Sequence, residues 1–175
     1  MKLVNFDRIN LISLAFLLLF IAFNSAANFS TKAMQDDGFD NLGFYSMATL
    51  YFFFSFCSFF STAIVNRLGI KPSLVLGAFC YFFWVFSFLC PAFYGENRDS
   101  SLFLLSRGFI YFIVLFSSAV NGFGAGILWV AQGKYIADCA SDDNRGFFYS
   151  YSWAIFMCSQ ILGNLIAGLV VKNTS

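Results

Sequence analysis

Hydrophobic residues fill five long stretches of this chain, and charged residues are confined to the segments between them. The charge-free stretches cover residues 9–31, 41–66, 72–95, 108–133 and 146–171, which are 23, 26, 24, 26 and 26 residues long. A helix needs about 20 apolar residues to cross the hydrocarbon core of a bilayer, which is about 30 Å thick. Each stretch is therefore long enough to cross a membrane once and too short to cross it twice.

The stretches are apolar on every side and do not alternate between apolar and polar residues. This pattern predicts helices and not the strands of a membrane barrel. We therefore expect an all-α membrane protein with five transmembrane helices, the third of which ends at Pro91. The predicted helices cover about residues 10–28, 44–65, 73–91, 109–135 and 147–171.

The composition supports a membrane protein. The chain is 59% hydrophobic and 22% aromatic, but only 11% of its residues are charged and its net charge is +1. Because soluble domains carry about 25% charged residues, the sequence excludes a soluble enzyme, a nucleic-acid binder and a disordered tail. The 27 phenylalanines suit helices that face lipid, and an aromatic-lined pore is the alternative interpretation. The chain has no histidine, so we expect no histidine-dependent catalysis, no metal site built on histidine and no cofactor.

The basic residues indicate an orientation, since cytoplasmic loops are enriched in lysine and arginine. The sharpest sign is the turn between the second and third helices, where Arg67 and Lys71 are the only charges. A cytoplasmic N-terminus places six basic residues inside and four outside. The inner residues would be Lys2, Arg8, Arg67, Lys71, Lys134 and Arg145, and the outer ones Lys32, Arg98, Arg107 and Lys172.

Amide side chains are the polar groups that stand out within the predicted helices. Residues four apart share one face of a helix, as do two amides of the first helix and two of the fifth. These amides either form a polar face that lines a pathway, or hydrogen-bond neighbouring helices at about 0.6 kcal/mol each. The six residues are Asn24, Asn28, Asn121, Gln132, Gln160 and Asn164.

Small residues mark positions where two helices could approach closely. Gly122 and Gly126 have GxxxG spacing in the fourth predicted helix, and Gly163 lies in the fifth. Such spacing favours backbone contact between membrane helices. Packing within one bundle is the expected use, and dimerisation is the alternative.

The turn between the second and third helices resembles a degraded loop motif of the major facilitator superfamily, Gly-x-x-x-Asp-Arg-x-Gly-x-Lys/Arg-Lys/Arg. Arg67, Gly69 and Lys71 match this motif, whereas Asn66 replaces the aspartate that supports a charged clamp between helices in that superfamily. The resemblance implies an inner-loop gate at these three residues. The alternative is a tight basic turn that only obeys the orientation rule.

More of the chain is similar to the Unc-ninety-three family, the ion-channel regulatory branch of the same superfamily. The segments that carry this similarity follow one another in the family's order. They read LGFYSMATLY from Leu42, RLGIK from Arg67, GFGAGILWVAQGKY from Gly122 and SQILGNLIAGLV from Ser159.

The resemblance implies a twelve-helix fold built of two six-helix halves. Residues 1–175 would then form a partial N-terminal domain, most of the first half, and we expect an incomplete chain without its C-terminal half. A functional five-span protein is the alternative. The implied function is regulation or trafficking of a channel or receptor within the lipid bilayer. The alternatives are one half of a facilitator-type solute transporter and a structural subunit of a membrane complex, and an enzyme is not expected.

Overall fold

The computed structural model describes residues 5–96 and 106–174 of the chain, and nearly all of them are helical. The expected all-α fold is confirmed, because five helical segments within the described ranges are long and apolar enough to cross a membrane. Lys2 and Arg98, which entered the prediction of orientation, lie outside these ranges. The helices are α1 (Phe6–Asp36), α2 (Leu42–Leu68), α3 (Ile70–Ser87), α4 (Leu89–Glu96), α5 (Arg107–Cys139) and α6 (Arg145–Thr174).

Several helices are longer than the predicted spans. α1 has 31 residues and α5 has 33, which correspond to about 46 and 50 Å at 1.5 Å per residue. Both helices are longer than the hydrocarbon core of a bilayer is thick. Their ends can therefore lie outside the core, and they carry charged residues such as Lys32 and Lys134. The predicted spans, about residues 10–28 and 109–135, are shorter than these helices, because the hydrophobic pattern stops before their charged ends.

The third span differs from the prediction at its end. The helix does not end at Pro91, but is interrupted at Phe88 and resumes as α4. Pro91 therefore lies in the first turn of a new helix, where backbone N–H groups have no intrahelical partner and proline is tolerated. Together α3 and α4 form one candidate span over Ile70–Gly95.

α5 is the centre of the bundle, with α2 and α3 packed against it, and α1 packs mainly against α6. Glycines on two sides of α5 allow the close approach of both neighbours. A Cβ on Gly122 would lie 2.4 Å from the backbone oxygen of Leu50 in α2. A Cβ on Gly124 would lie 2.3 Å from the Cβ of Cys80 in α3. The bundle thus has two parts, which are the α2–α5–α3 group and the α1–α6 pair.

The same close packing occurs at the other predicted glycines. A Cβ on Gly126 would meet Ser61 and Cys57 of α2 at 3.0 and 3.2 Å. A Cβ on Gly163 of α6 would lie 2.7 Å from the Cβ of Asn24 in α1. In this single chain, all these contacts are between helices of one bundle.

Buried hydroxyl groups join the helices within the candidate spans. The indole Nε1–H of Trp84 in α3 lies 3.2 Å from the Ser46 Oγ of α2 and 3.0 Å from the Ser118 Oγ of α5. The two serine oxygens are 2.7 Å apart. Ser13 of α1 likewise donates to Ser152 of α6 at 2.8 Å. The serines and the tryptophan therefore connect helices in both parts of the bundle.

Candidate functional site

A cavity of about 350 Å³ lies where the α1–α6 pair meets the α2–α5–α3 group. The residues that line it come from near the middle of their helices, so the cavity lies near the middle of the candidate spans. Most of them are aromatic, and the main ones are Phe20, Tyr81, Trp129, Trp153 and Phe156. This cavity is the candidate functional site.

The aromatic rings that line the cavity contact one another in edge-to-face arrangements, which the ring quadrupoles favour. The rings of Phe20 and Phe156 are 4.9 Å apart at an angle of 89°. Those of Trp129 and Phe156 are 5.0 Å apart, also at 89°, and Tyr81 lies edge-on to Phe20 at 5.3 Å. α1, α3, α5 and α6 each contribute to this set, so the wall is fixed by several helices at once.

Two of the six predicted amides, Asn24 and Gln160, line the cavity. Asn24 faces Gly163, whose missing side chain allows α6 to pack against α1 at this point. The Nδ2 of Asn24 is buried and has no hydrogen-bond partner among the described residues. No charged side chain is found among the described residues that line the cavity. The site therefore combines aromatic walls with neutral amide groups.

The other four amides lie outside this cavity. Asn28 donates to Asn164 at 2.6 Å, and both side chains are exposed beside Lys32 toward the ends of α1 and α6. Asn121 is fully buried, and neither polar atom of its side chain has a partner within the ranges described. Gln132 is half-buried further along α5. The structure thus brings together two of the six amides at the cavity and pairs two others.

The sequence interpretation concentrated on amides and missed the aromatic and hydroxyl residues of the interior. Trp84 is fully buried at the centre of its span. Tryptophan in membrane proteins is enriched at the interfaces with water. A tryptophan at the centre of a predicted span could therefore have been identified from the sequence as a buried residue of the interior. The serines gave no such signal, since serine is common in these helices whether or not it bonds another helix.

The residues of the predicted gate form the tight connection between α2 and α3. Gly69 has a φ of +86° and separates the two helices by a single residue. Only glycine adopts this conformation readily, which explains its place in the turn. Arg67 and Lys71 are exposed on either side of it. The neighbouring Asn66 accepts a hydrogen bond from Lys134 of α5 at 2.7 Å, and this link between α2 and α5 was not predicted.

Replacing Asn66 by aspartate should raise the stability of the protein by up to about 1 kcal/mol at low salt. The hydrogen bond that the charged Lys134 ammonium donates to a neutral amide would become an ion pair between two exposed side chains, and added salt should screen it. Thermal unfolding in detergent at low and high salt measures this gain. In a Lys134→Met background the same substitution should give no gain, and an equal gain there would contradict the explanation.

Comparison with known proteins places residues 38–175 in a family described as "Ion channel regulatory protein UNC-93". "UNC93-like protein 3" of Arabidopsis thaliana is 31% identical over 94% of this chain and 33% of its own length. "Putative potassium channel regulatory protein unc-93" of Caenorhabditis elegans is 28% identical over 91% of this chain and 21% of its own length. "UNC93-like protein MFSD11" of Xenopus tropicalis is 25% identical over 98% and 35%. The chain thus spans about a third or less of these relatives, and no solved structure matches it.

Proposed function

This chain belongs to the UNC-93 family of ion channel regulatory proteins, and on that basis we propose that it acts in a membrane as a regulatory or trafficking partner of an ion channel or receptor. The observation that carries the proposal is the family match over residues 38–175, which covers four of the five candidate spans. The name of the Caenorhabditis elegans relative adds the class of channel, one that conducts potassium.

The physical character of the spans supports this function. The charge-free helices lack the intramembrane acidic or basic groups that proton- and ion-coupled transporters commonly use. A protein that binds a channel within the bilayer needs no such group, because packing and neutral hydrogen bonds drive helix association there. The charge-free spans are therefore compatible with regulation of a channel through direct helix contacts in the bilayer.

We further propose that the bundle forms most of an N-terminal six-helix half of a major facilitator fold, with the N-terminus in the cytoplasm. Support for the orientation comes from the α2–α3 turn, where Arg67 and Lys71 are exposed. The start of α1 lies at the same end of the bundle, since the Asn5 side chain donates to the backbone oxygen of Cys139 at 3.1 Å. Cys139 ends α5, whose Lys134 donates to Asn66 beside the turn. This end would face the cytoplasm.

Co-expression with a panel of potassium channels tests the regulatory function. We expect the protein to change the whole-cell current of at least one channel and to co-purify with that channel. Surface biotinylation separates trafficking from gating, because trafficking changes the amount of channel at the surface and gating changes the current per channel. If no current and no surface amount changes while the protein is expressed, the proposal is wrong.

Two variants make this experiment specific. Gly122→Leu should abolish the effect, because it forces α5 away from α2. Gly133→Ala should preserve it, since a Cβ added at Gly133 meets nothing within 4 Å. If the two variants changed the channel current to the same extent, the close packing of α5 on α2 would not be what the effect depends on.

The cavity favours facilitated movement of an uncharged solute as a second function. It lies at mid-depth, is lined by two amides, and has no charged side chain among its described lining residues. Uptake into proteoliposomes should then follow the gradient of the solute alone. A dependence of uptake on an imposed proton or sodium gradient would contradict this candidate.

A further inference from the structure

We propose that the groove between α1 and α6, at the end of the bundle away from the α2–α3 turn, binds an anionic phospholipid whose phosphate is held by the side chains of Lys32 and Asn164. Among the residues that the structure describes, this groove and the aromatic cavity have no lining residue in common. The proposal therefore rests neither on regulation of a channel nor on movement of a solute. It follows from the depth of the groove, its hydrogen-bond donors and its charge.

The groove is about 350 Å³ in volume, and both helices line it. The helices run side by side in the same direction here, because Ser25 donates to the backbone oxygen of Gly163 at 3.1 Å and Asn28 donates to Asn164 at 2.6 Å. Beyond this point small residues of α6 leave space, and a Cβ on Gly168 would meet nothing within 4 Å. The described lining residues are Asn28, Lys32, Asn164, Ala167, Gly168 and Val171. A headgroup can therefore enter without any change in how the two helices pack.

The groove lies at the level where lipid headgroups begin. Lys32 is the first charged residue after the charge-free stretch of α1, and Lys172 is the first after that of α6. These stretches are the parts that cross the hydrocarbon core, and a lysine near the end of a membrane helix extends to the interface. Toward the core, Ile161 is 70% exposed and lies on the same face of α6 as Asn164. An acyl chain that leaves the groove can lie along this face.

Hydrogen bonds leave the amide of Asn164 with a donor. The Nδ2 of Asn28 donates to the backbone oxygen of Asn24 at 3.0 Å and to the Oδ1 of Asn164 at 2.6 Å. Because a backbone oxygen can only accept, the first bond requires the nitrogen of Asn28 at this position, and its second hydrogen serves Asn164. Asn164 therefore accepts with its oxygen. Its Nδ2 donates to no other described residue, and the side chain is exposed.

Lys32 supplies the second donor and the charge. It is exposed, and no other charged side chain is found among the described residues that line the groove. Asp36 lies one turn further along α1, but Lys32 forms no ion pair with it or with any other described residue. An ammonium group donates strong, charge-assisted hydrogen bonds to a phosphate. With an amide donor beside it on α6, Lys32 makes the groove suited to a phosphate anion.

The same residues favour a headgroup with a net negative charge. A zwitterionic headgroup carries a cation next to its phosphate, and Lys32 would repel this cation. No carboxylate is found among the described lining residues to neutralise it. A glycerol headgroup has no cation, and its hydroxyl groups can donate to the Oδ1 of Asn28, which accepts from no other described residue. Phosphatidylglycerol therefore represents the favoured class of lipid.

Native mass spectrometry of the purified protein in detergent tests the proposal. The protein is titrated with phosphatidylglycerol and, separately, with phosphatidylcholine of identical acyl chains, and the affinity for the first bound lipid is measured. We expect phosphatidylglycerol to bind about fivefold more tightly, which is what one lysine near a membrane surface contributes to the attraction of anionic lipid. Glycerol phosphate, a soluble headgroup without acyl chains, should not displace the bound lipid at an equal concentration.

Two substitutions should remove the preference for phosphatidylglycerol. Lys32→Gln removes the positive charge of an exposed side chain. Asn164→Asp keeps an oxygen that accepts from Asn28 and replaces the donor by a second oxygen, whose negative charge repels a phosphate. Lys71→Gln is the matched control, because Lys71 is also an exposed lysine at the end of a candidate span but lies beside the α2–α3 turn. It should leave the preference unchanged.

A second pair of variants tests the groove as a space. Gly168→Leu should weaken the binding of both lipids, because its side chain would occupy the open space of the groove. Gly146→Leu, near the start of the same helix, should leave both affinities unchanged, since an added Cβ there also meets nothing within 4 Å. Equal affinities in these two variants would place the lipid elsewhere and contradict the proposal.

The lipid titrations could contradict the proposal in three further ways. The unaltered protein could bind the two lipids equally, which would remove the role of charge. The preference could survive in Lys32→Gln or in Asn164→Asp, or Lys71→Gln could lower it as much as Lys32→Gln does, which would make the attraction a general property of the surface. Displacement of the lipid by glycerol phosphate would indicate a site for a soluble phosphate ester.

Discussion

Replacing Trp84 by alanine should destabilise the protein by about 4 kcal/mol, the largest effect that we expect from a single substitution. Trp84 is fully buried, and its ring contacts those of Phe23 and Phe88 at centroid distances of 5.0 and 4.6 Å. Its removal leaves a cavity that its neighbours, held by three helices, cannot fill. It also removes the indole donor that lies between Ser46 and Ser118.

Unfolding in mixed micelles of detergent and SDS, followed by tryptophan fluorescence, measures the loss. Trp84→Phe separates the two causes, because it keeps a ring and removes the N–H donor, and should cost less than Trp84→Ala. Trp153→Ala is the control, since that side chain is 52% exposed, and should cost less than about 1 kcal/mol. Equal losses at positions 84 and 153 would contradict the central place of Trp84.

Replacing Gly122 by alanine should cost about 3 kcal/mol, at the upper end of overpacking effects. The added Cβ would lie 2.4 Å from the Leu50 backbone oxygen, 2.8 Å from the Phe53 Cβ and 2.9 Å from the Phe54 backbone nitrogen. Two of these three atoms belong to the backbone of α2, so no side-chain rotation can relieve the contact. The whole helix would have to move.

The same substitution at Gly133, on the same helix, provides a control of opposite sign. A Cβ at Gly133 meets nothing within 4 Å, and alanine favours a helix over glycine by up to about 1 kcal/mol. Gly133→Ala should therefore stabilise the protein slightly in the same unfolding assay. If both variants are destabilised to a similar extent, the contact between α2 and α5 is not the cause.

The spans could be predicted from the sequence because a single physical requirement determines them. A helix in lipid must be about 20 residues long and free of charge, and the five charge-free stretches satisfy both conditions. The family could be recognised because its segments near Leu42, Gly122 and Ser159 occur in order. Both inferences depend on local sequence alone.

The candidate site could be predicted only in part. Asn24 and Gln160 were picked out as amides in apolar helices, but their common cavity depends on how α1, α6 and α5 pack. That packing is decided by contacts between residues far apart in sequence, such as the one between Gly163 and Asn24. Helical periodicity places Phe20 and Phe23 on one face of α1, but it could not show which rings of the other helices meet them, because that depends on the same packing.

The pairing of α1 with α6 has a consequence for how the protein is made. Ser13 bonds Ser152 across 139 residues of sequence. At a synthesis rate of about 5–20 residues per second, roughly 7–30 s pass between the emergence of these two serines from the ribosome. α2, α3 and α5 can assemble within that interval, whereas α1 remains in the bilayer without its main partner. The hydroxyl of Ser13 keeps its hydrogen bond to the backbone oxygen of Ile9 within α1 during that time, whereas the amide of Asn24 stays uncovered until Gly163 of α6 packs against it.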